Sequence, residues 1–509
     1  MSTIIEASAV EKMSREPLPK GDSCVLVIFG ASGDLARRKL IPSLYNLACA
    51  GCMNPQFEVL GLGRRPMLSE EFRRKMRDAA STSSDTRDFS DAGWREFEGR
   101  LHYFSGDFNQ PGFFRELSER LQQMQKTGSS GNQLFYLSTP ASEARPIIEG
   151  LSSAGLNRSG SGWARIIVEK PFGHDLDSAR ELNEVVGKAF DERNVYRIDH
   201  FLGKETVQNI LVFRFGNSMF EPIWNRNYID HVEITASESI GVEGRARFYE
   251  ETGALRDMVA NHMLQLLALT TMEPPIAFDP DSPRDQKVQL LRSIRPMTKK
   301  EVAQRTVRGQ YGPGTIDGKK VPGYREEPDV PPNSTTPTYV ALEFHVDNWR
   351  WAGVPFYVRT GKRLSQRVTE IRVHLKRTPE ALFAQTPQSQ IEPNVIALRI
   401  QPDEGISISF GAKRPGNQMR MVGVQANFSY QAMFGPGAPV AYETLLLDAM
   451  LGDPTLFTRR DEVEAEWRII TPILEAWKQL PAPKFPNYAA GSDGPHEAQE
   501  LVRAADGRG

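Results

Sequence analysis

Cys24-Val25-Leu26-Val27-Ile28-Phe29-Gly30-Ala31-Ser32-Gly33-Asp34-Leu35-Ala36 carries the information from which the rest of the chain can be read. Its first half is a short apolar run rich in β-branched side chains, without polar alternation, as expected of a strand buried on both faces of a parallel sheet. A glycine turn follows at once, and a helix is predicted over 35–50, with Leu40, Leu44 and Leu47 on a common side. Strand, glycine turn and helix in this order bring backbone N–H groups and a helix N-terminus to where a pyrophosphate can be held. Gly30, Ser32, Gly33, Asp34 and Leu35 are therefore the candidate cofactor-binding residues. The spacing, G-x-x-G-x-x-A, is one residue longer than the usual dinucleotide fingerprint. A purely steric glycine turn would look the same in isolation.

The next strand, predicted over 57–62, bears on the choice of cofactor. An NAD enzyme is expected to carry an acidic residue near its end for the ribose 2′-OH. Gly63-Arg64-Arg65 stands there instead. A guanidinium fork suits a 2′-phosphate, so Arg64, with Arg65 and the Ser32 hydroxyl beside it, favours NADP over two merely solvated arginines. Strands at 101–104, 133–137 and 164–168 alternate with helices at 111–124, 141–151 and 176–189, the pattern of right-handed βαβ units in a doubly wound, Rossmann-like sheet. Ligands in that architecture sit beyond the carboxyl ends of strands. Ser138-Thr139-Pro140 and Glu169-Lys170-Pro171 fall at such ends, which places Lys170 for chemistry and makes the bond after it a candidate cis peptide.

Beyond about residue 200 the period changes. Alternation at Ile371/Val373/Leu375, Ile396/Leu398/Ile400 and Ile406/Ile408/Phe410 predicts a large, mainly antiparallel sheet with one face covered, hence an α+β second domain. The expected organisation is an extension over 1–21, a dinucleotide-binding domain over 22–200, a substrate and oligomerisation domain over 201–488, and a mobile tail over 489–509. The Pro/Gly-rich stretch 308–337 reads as an irregular loop. A chain of 509 residues fits two cores, and 62 basic against 64 acidic residues, net −2, favour neither nucleic acid nor an anionic membrane as partner. No apolar stretch approaches membrane-spanning length, and three cysteines indicate a reducing compartment, so a cytoplasmic protein is expected. Cys49 and Cys52 form a C-x-x-C pair without a second ligand cluster, and no metal is expected.

Two segments carry candidate chemistry. Tyr196-Arg-Ile-Asp199-His200-Phe-Leu-Gly-Lys204-Glu packs charges among apolar neighbours, consistent with an internal ion pair or with a phosphorylated ligand on His200 and Lys204. A helix predicted over 252–270 carries His262 on the same stripe as Leu255, Val259, Leu266 and Leu269. Such a histidine is commonly a satisfied core residue, yet a dehydrogenase needs a base, and Asp199 could orient it.

These motifs, with Glu169-Lys170-Pro171-Phe172-Gly173, Glu221-Pro222-Ile223-Trp224-Asn225-Arg226, Arg256-Asp257, Asn261-His262 and Arg359-Thr360-Gly361-Lys362-Arg363, occur in the order of the glucose-6-phosphate dehydrogenase family, which the chain resembles from about Ser23 to Pro483. The resemblance implies oxidation of D-glucose 6-phosphate at C1 to 6-phospho-D-glucono-1,5-lactone with hydride transfer to NADP, the entry step of the oxidative pentose phosphate pathway. It implies His262 as general base and Asp199 as its partner. His200, Lys204 and Arg367 would hold the phosphate, Lys170 and Lys362 would contact the sugar near its reacting end, with Lys170 also among the cofactor-binding residues, and Glu238, Asp257 and Gln401 would accept from the sugar hydroxyls. Phe201 departs from the family, many of whose members carry a tyrosine there, which should weaken the phosphate clamp. A homodimer or homotetramer through the second-domain sheet is also implied. The alternatives are a glucose–fructose oxidoreductase-like enzyme acting on an unphosphorylated sugar, and a non-catalytic NADP-sensing protein.

Overall fold

The computed structural model describes residues 19–506 except 161, 379–391 and 436–438. The expected extension over 1–21 therefore lies almost wholly outside the described residues. The first sheet contains β1 (Val25–Phe29), β2 (Glu58–Gly63), β3 (Leu101–Ser105), β4 (Gln133–Leu137), β5 (Ala164–Val168) and β6 (Val195–Arg197), in the order β3-β2-β1-β4-β5-β6. Every pairing is parallel, and β1 is buried along its whole length between β2 and β4. The strand order reverses at β1, so the crevice beyond its carboxyl end opens over the glycine turn. Where a single helix is predicted over 35–50, a π-helical turn, Ala36–Leu40, runs into the α-helix Ile41–Cys49.

The second sheet is built from β7 (Ile229–Ser237) and β8 (Thr306–Gly309), followed, after the short strands β9 (Tyr311–Gly312), β10 (Gly314–Ile316) and β11 (Lys319–Val321), by β12 (Tyr339–His345), β13 (Pro355–Gly361), β14 (Val368–Leu375), β15 (Val395–Gln401), β16 (Gly405–Lys413) and β17 (Met421–Ser429). Its order is β17-β16-β15-β14-β7-β13-β12-β8, antiparallel except for the parallel pair β13–β7. Val232, Ile234, Ile371, Val373, Ile396 and Leu398 face a core closed by the helices Glu205–Phe215, Leu264–Thr271 and Arg460–Gln479.

Three expectations need correction. The tail after 489 is docked over its described part: β18 (Tyr488–Ala489) pairs with β9, Ala490 and Ala498 are buried, and a helix spans His496–Asp506. Small residues let this segment lie against Tyr311 and Tyr339, so a polar, Gly/Ala-rich composition marks close packing here. The stretch read as an irregular loop holds the β10–β11 hairpin and the strand that receives β18. The helix expected over 252–270 is broken at Gly253, whose φ of 56° interrupts it, and continues as the π-helical segment Leu255–Met263 before Leu264–Thr271. The helix Ala441–Leu451 also returns to the first sheet, where Leu445, Leu446 and Met450 pack with Leu26, Ile28 and Leu44. Among the described residues no helix is long and apolar enough to cross a membrane, and Cys24 and Cys52 are buried free thiols while Cys49 is exposed.

Candidate active site

The last parallel strand ends at Arg197, and the chain turns at Asp199, whose Oδ1 accepts from the Phe201 N–H at 2.9 Å. The same oxygen lies 2.5 Å from His262 Nδ1, and both side chains are buried. Asp199 thereby fixes the tautomer: the proton sits on Nδ1, and the Nε2 lone pair points away from the carboxylate. Lys170 Nζ lies 2.8 Å from that Nε2, and also donates to the Asp257 carbonyl at 3.0 Å and to its Oδ1 at 3.3 Å. The π-helical winding makes this possible. In an α-helix Asp257 and His262 would stand about 140° apart around the axis, whereas the wider π turn brings residues five apart back to one side.

Burial pushes His262 well below its ordinary value, the Lys170 ammonium adds to this, and Asp257 opposes it. Burial raises Asp199, against the pull of His200, the Phe201 N–H and Lys170. The imidazole is thus neutral near pH 7, with a lone pair available to a proton donor. Asp257 stays ionised because Lys170 and Lys362 outweigh its burial. Phe201 stacks on the His262 ring at 4.3 Å and 14°, and His200 meets it edge-on at 4.5 Å.

A group of cations borders the dyad. Lys204 Nζ donates to Gln401 Oε1 at 2.6 Å and sits 4.2 Å over the Phe201 ring, and Gln401 is braced by its amide on Thr369 Oγ1 at 3.1 Å. Burial and then the nearby Arg367 guanidinium bring Lys204 down to about 8. His200 is held well below its usual range by burial, His262 and Lys170. Crowded cations of this kind are what an anionic ligand would relieve. On the other side, Lys362 Nζ lies 2.5 Å from Glu238 Oε2. Their meeting is topological: β7 and β13 are parallel and in register from Val232–Phe356 to Ser237–Gly361, so the residues following both strands emerge together.

The dinucleotide candidates surround the turn after β1. Gly30 has φ 82°, and a Cβ there would come 2.3 Å from the Ser138 carbonyl, so only glycine lets the turn lie against the end of β4. Ser138 Oγ and Thr139 Oγ1 are buried beside it and make no hydrogen bond among the described residues. Such donors at a strand end next to a glycine turn fit a dinucleotide. Gly33 N–H bonds the Gly30 carbonyl at 2.8 Å, Leu35 leans on the core, Asp34 engages Arg38 at 3.5 Å, and Ser32 is exposed near Gly63. Arg64 is exposed and forms no ion pair among the described residues.

The structure brings Asp199, His262, Lys170 and Asp257 into one hydrogen-bonded group, and joins Lys204 to Gln401 and Lys362 to Glu238 as flanking pairs. Glu169 was not singled out for a role by the sequence, yet it accepts from Tyr136 at 2.5 Å and Tyr442 at 3.1 Å, and burial raises its carboxyl. Tyr442 in turn stacks near His200 at 6.3 Å and 8°. Its position far along the chain gave no signal of this.

The chain matches the family model "Glucose-6-phosphate dehydrogenase, NAD binding domain" over residues 27–209 and "Glucose-6-phosphate dehydrogenase, C-terminal domain" over 211–508. It is 47% identical to a glucose-6-phosphate 1-dehydrogenase of Chlamydia pneumoniae, covering 95% of each chain, and 43% identical to that of Bacillus subtilis, covering 94% of this chain and 96% of the relative. Among solved structures it resembles a glucose-6-phosphate dehydrogenase in complex with its substrate glucose-6-phosphate, with a TM-score of 0.86 and 34% identity over 96% of this chain and 98% of the other. A glucose-6-phosphate 1-dehydrogenase from Mycobacterium avium superposes with a TM-score of 0.78 at 38% identity, over 95% of this chain and 98% of the other. With both domain models matched in sequence and both sheets in the matching fold, the chain belongs to the glucose-6-phosphate dehydrogenase family.

Proposed function

We propose that this chain oxidises β-D-glucose 6-phosphate at C1 to 6-phospho-D-glucono-1,5-lactone, with NADP as the hydride acceptor. The observation that carries the reading is the buried Asp199–His262 pair, with its Nε2 2.8 Å from Lys170 Nζ and a cation group alongside. In this reading the C1 hydroxyl takes the place at Nε2 that the Lys170 ammonium holds, and Lys170 turns its hydrogen bond to the sugar oxygen. His262 removes the hydroxyl proton, and the Asp199 carboxylate, 2.5 Å from Nδ1, stabilises the imidazolium that forms. The glycine turn would hold NADP by its pyrophosphate, and the cofactor would supply the acceptor for the hydride leaving C1. Glu238 and Asp257 take hydrogen bonds from sugar hydroxyls, Lys362 holds Glu238, and Gln401 aligns Lys204.

Lys204, His200 and Arg367 hold the phosphate. Three cationic or proton-bearing groups exceed what a neutral sugar needs, which favours this reading over an oxidoreductase for unphosphorylated sugars. Gly30, Ser32, Gly33, Asp34 and Leu35 line the pyrophosphate turn, and Arg64 takes the 2′-phosphate. Phe201 supplies a ring in place of a hydroxyl and leaves the clamp one hydrogen bond short. The free cysteines support a cytoplasmic setting. A homodimer or homotetramer forms through the second sheet, whose β16–β17 end leaves Phe410 of β16 exposed beside Val422 and Val424 of the edge strand β17.

Initial rates of NADPH and NADH formation with glucose 6-phosphate and with glucose test the reading. Turnover with glucose 6-phosphate and NADP at a kcat/KM far above the other three combinations is expected. Equal efficiency with glucose would favour the unphosphorylated-sugar enzyme, and cofactor binding without turnover would favour the sensing protein.

A further inference from the structure

A small cavity, about 40 Å³ in volume, lies behind the dyad on the Asp199 side, bounded by Glu169, Arg197, Asp199, Asn261, Glu466 and Trp467. Asp199 and Lys170 border it, and His262, His200 and Lys204 do not, so it reaches the dyad from the carboxylate side. A water needs about 10–15 Å³ of such space and two to four polar partners. Partners are present: Asp199 Oδ2 and Arg197 Nε are both buried and make no hydrogen bond among the described residues. Glu466, 4% exposed, reaches the same cavity from the helix Arg460–Gln479.

Burial and the charges around Glu466 set its form. Gln265 Nε2 donates to Glu466 Oε1 at 2.7 Å and to Glu462 Oε1 at 2.6 Å. The Lys287 ammonium goes to Glu462 at 2.7 Å and to Gln265 Oε1 at 3.0 Å. One buried ammonium thus serves Glu462, and a second carboxylate beside it would be a like charge without a partner. Other groups facing this pocket are Arg197, already paired with Glu192 at 2.6 Å, Glu169 held by two tyrosines, Lys170, and Asp199 itself. Burial, then Glu462 and Asp199, push the Glu466 carboxyl well above its usual range.

We propose that Glu466, as a neutral carboxylic acid, is a positioning residue that donates through one water in this cavity to Asp199 Oδ2 and so limits the basicity of the Asp199–His262 dyad. The inference rests on the reading of that pair as the catalytic base. A hydrogen bond to Oδ2 draws charge from the carboxylate, so losing it makes the dyad bind a proton more readily.

The test is the pH profile of kcat/KM for glucose 6-phosphate in the full-length wild type, Glu466→Gln and Glu466→Leu. The substrate phosphate titrates identically in all three and cancels from the comparison. Glu466→Gln, whose amide still donates, should keep the acid limb within about 0.3 pH unit, and Glu466→Leu should move it upward by about one unit, with kcat on the plateau changed by no more than a few-fold. A downward shift in Glu466→Gln would mean that the carboxylate is ionised, and unmoved limbs in both variants would mean a structural role; either overturns the proposal. Should Glu466→Leu not fold, the Gln profile and a wild-type crystal structure decide, and a cavity without water at Asp199 Oδ2 refutes the relay. His262→Asn, run in parallel, tests the dyad itself: retained turnover there would refute the underlying reading instead.

Discussion

Replacing Lys204 separates phosphate recognition from the chemistry at C1. Its ammonium has three donors, and Gln401 uses one at 2.6 Å, so a phosphate need not displace that bond. A charge-assisted contact is worth about 1.5–3 kcal/mol, which converts to a loss of about 10- to 150-fold in kcat/KM for glucose 6-phosphate in Lys204→Ala. The slow reaction with free glucose should hardly change. The depressed value of about 8 for Lys204 adds a pH signature. The cation is mostly present at pH 7 and reduced to about a tenth at pH 9, so wild-type kcat/KM should fall by up to about tenfold across that interval. The direction follows from the shift: a lysine lowered by burial and by Arg367 loses its charge on the alkaline side, and loses it early. Lys204→Arg, which keeps its charge, should abolish this decline. Initial rates from pH 6.5 to 9.5 with both sugars measure all three effects. An equal loss on glucose and glucose 6-phosphate, or an alkaline limb that persists in Lys204→Arg, would refute the assignment.

Four further outcomes are expected. His262→Asn should lower kcat by about 10²-fold or more with KM little changed, Asp199→Asn should act in the same direction, and the double variant should fall well short of the product; near-normal turnover in a folded His262→Asn protein would exclude the base. Wild-type kcat/KM should decline only below the ordinary histidine range as pH falls, because burial keeps His262 neutral to lower pH. Arg64→Ala should raise KM for NADP about tenfold or more while leaving NAD nearly unaffected, and equal effects on both would remove Arg64 from the 2′-phosphate. Gly30→Ala, whose Cβ would meet the Ser138 carbonyl at 2.3 Å with φ at 82°, should lower Tm by several degrees and weaken cofactor binding, both readable by thermal shift with and without NADP.

The first domain was legible because its determinants are local. A buried parallel strand shows as an unbroken apolar run, and a glycine turn shows as glycines, so β1, β2, β4 and β5 fall where the run lengths place them. The antiparallel strands β14, β15 and β16 were legible from their alternation, since the pleat repeats every second residue. The cofactor turn, Arg64, Lys170, Asp199, His200, Lys204 and His262 were read from the residues and the other sugar and phosphate contacts by resemblance, but spacing alone did not join them: Asp199 and His262 are 63 positions apart. What joins them is tertiary. The π winding of Leu255–Met263 decides that Asp257 and His262 share Lys170, and no side-chain pattern distinguishes a π turn from an α turn in a buried helix. The parallel pairing of β7 with β13 decides that Glu238 meets Lys362, since register is a property of two strands and is not encoded within either one. The docking of the C-terminal segment against Tyr311 and Tyr339 went the same way: small residues signal either freedom or close contact, and only the surface they meet determines which.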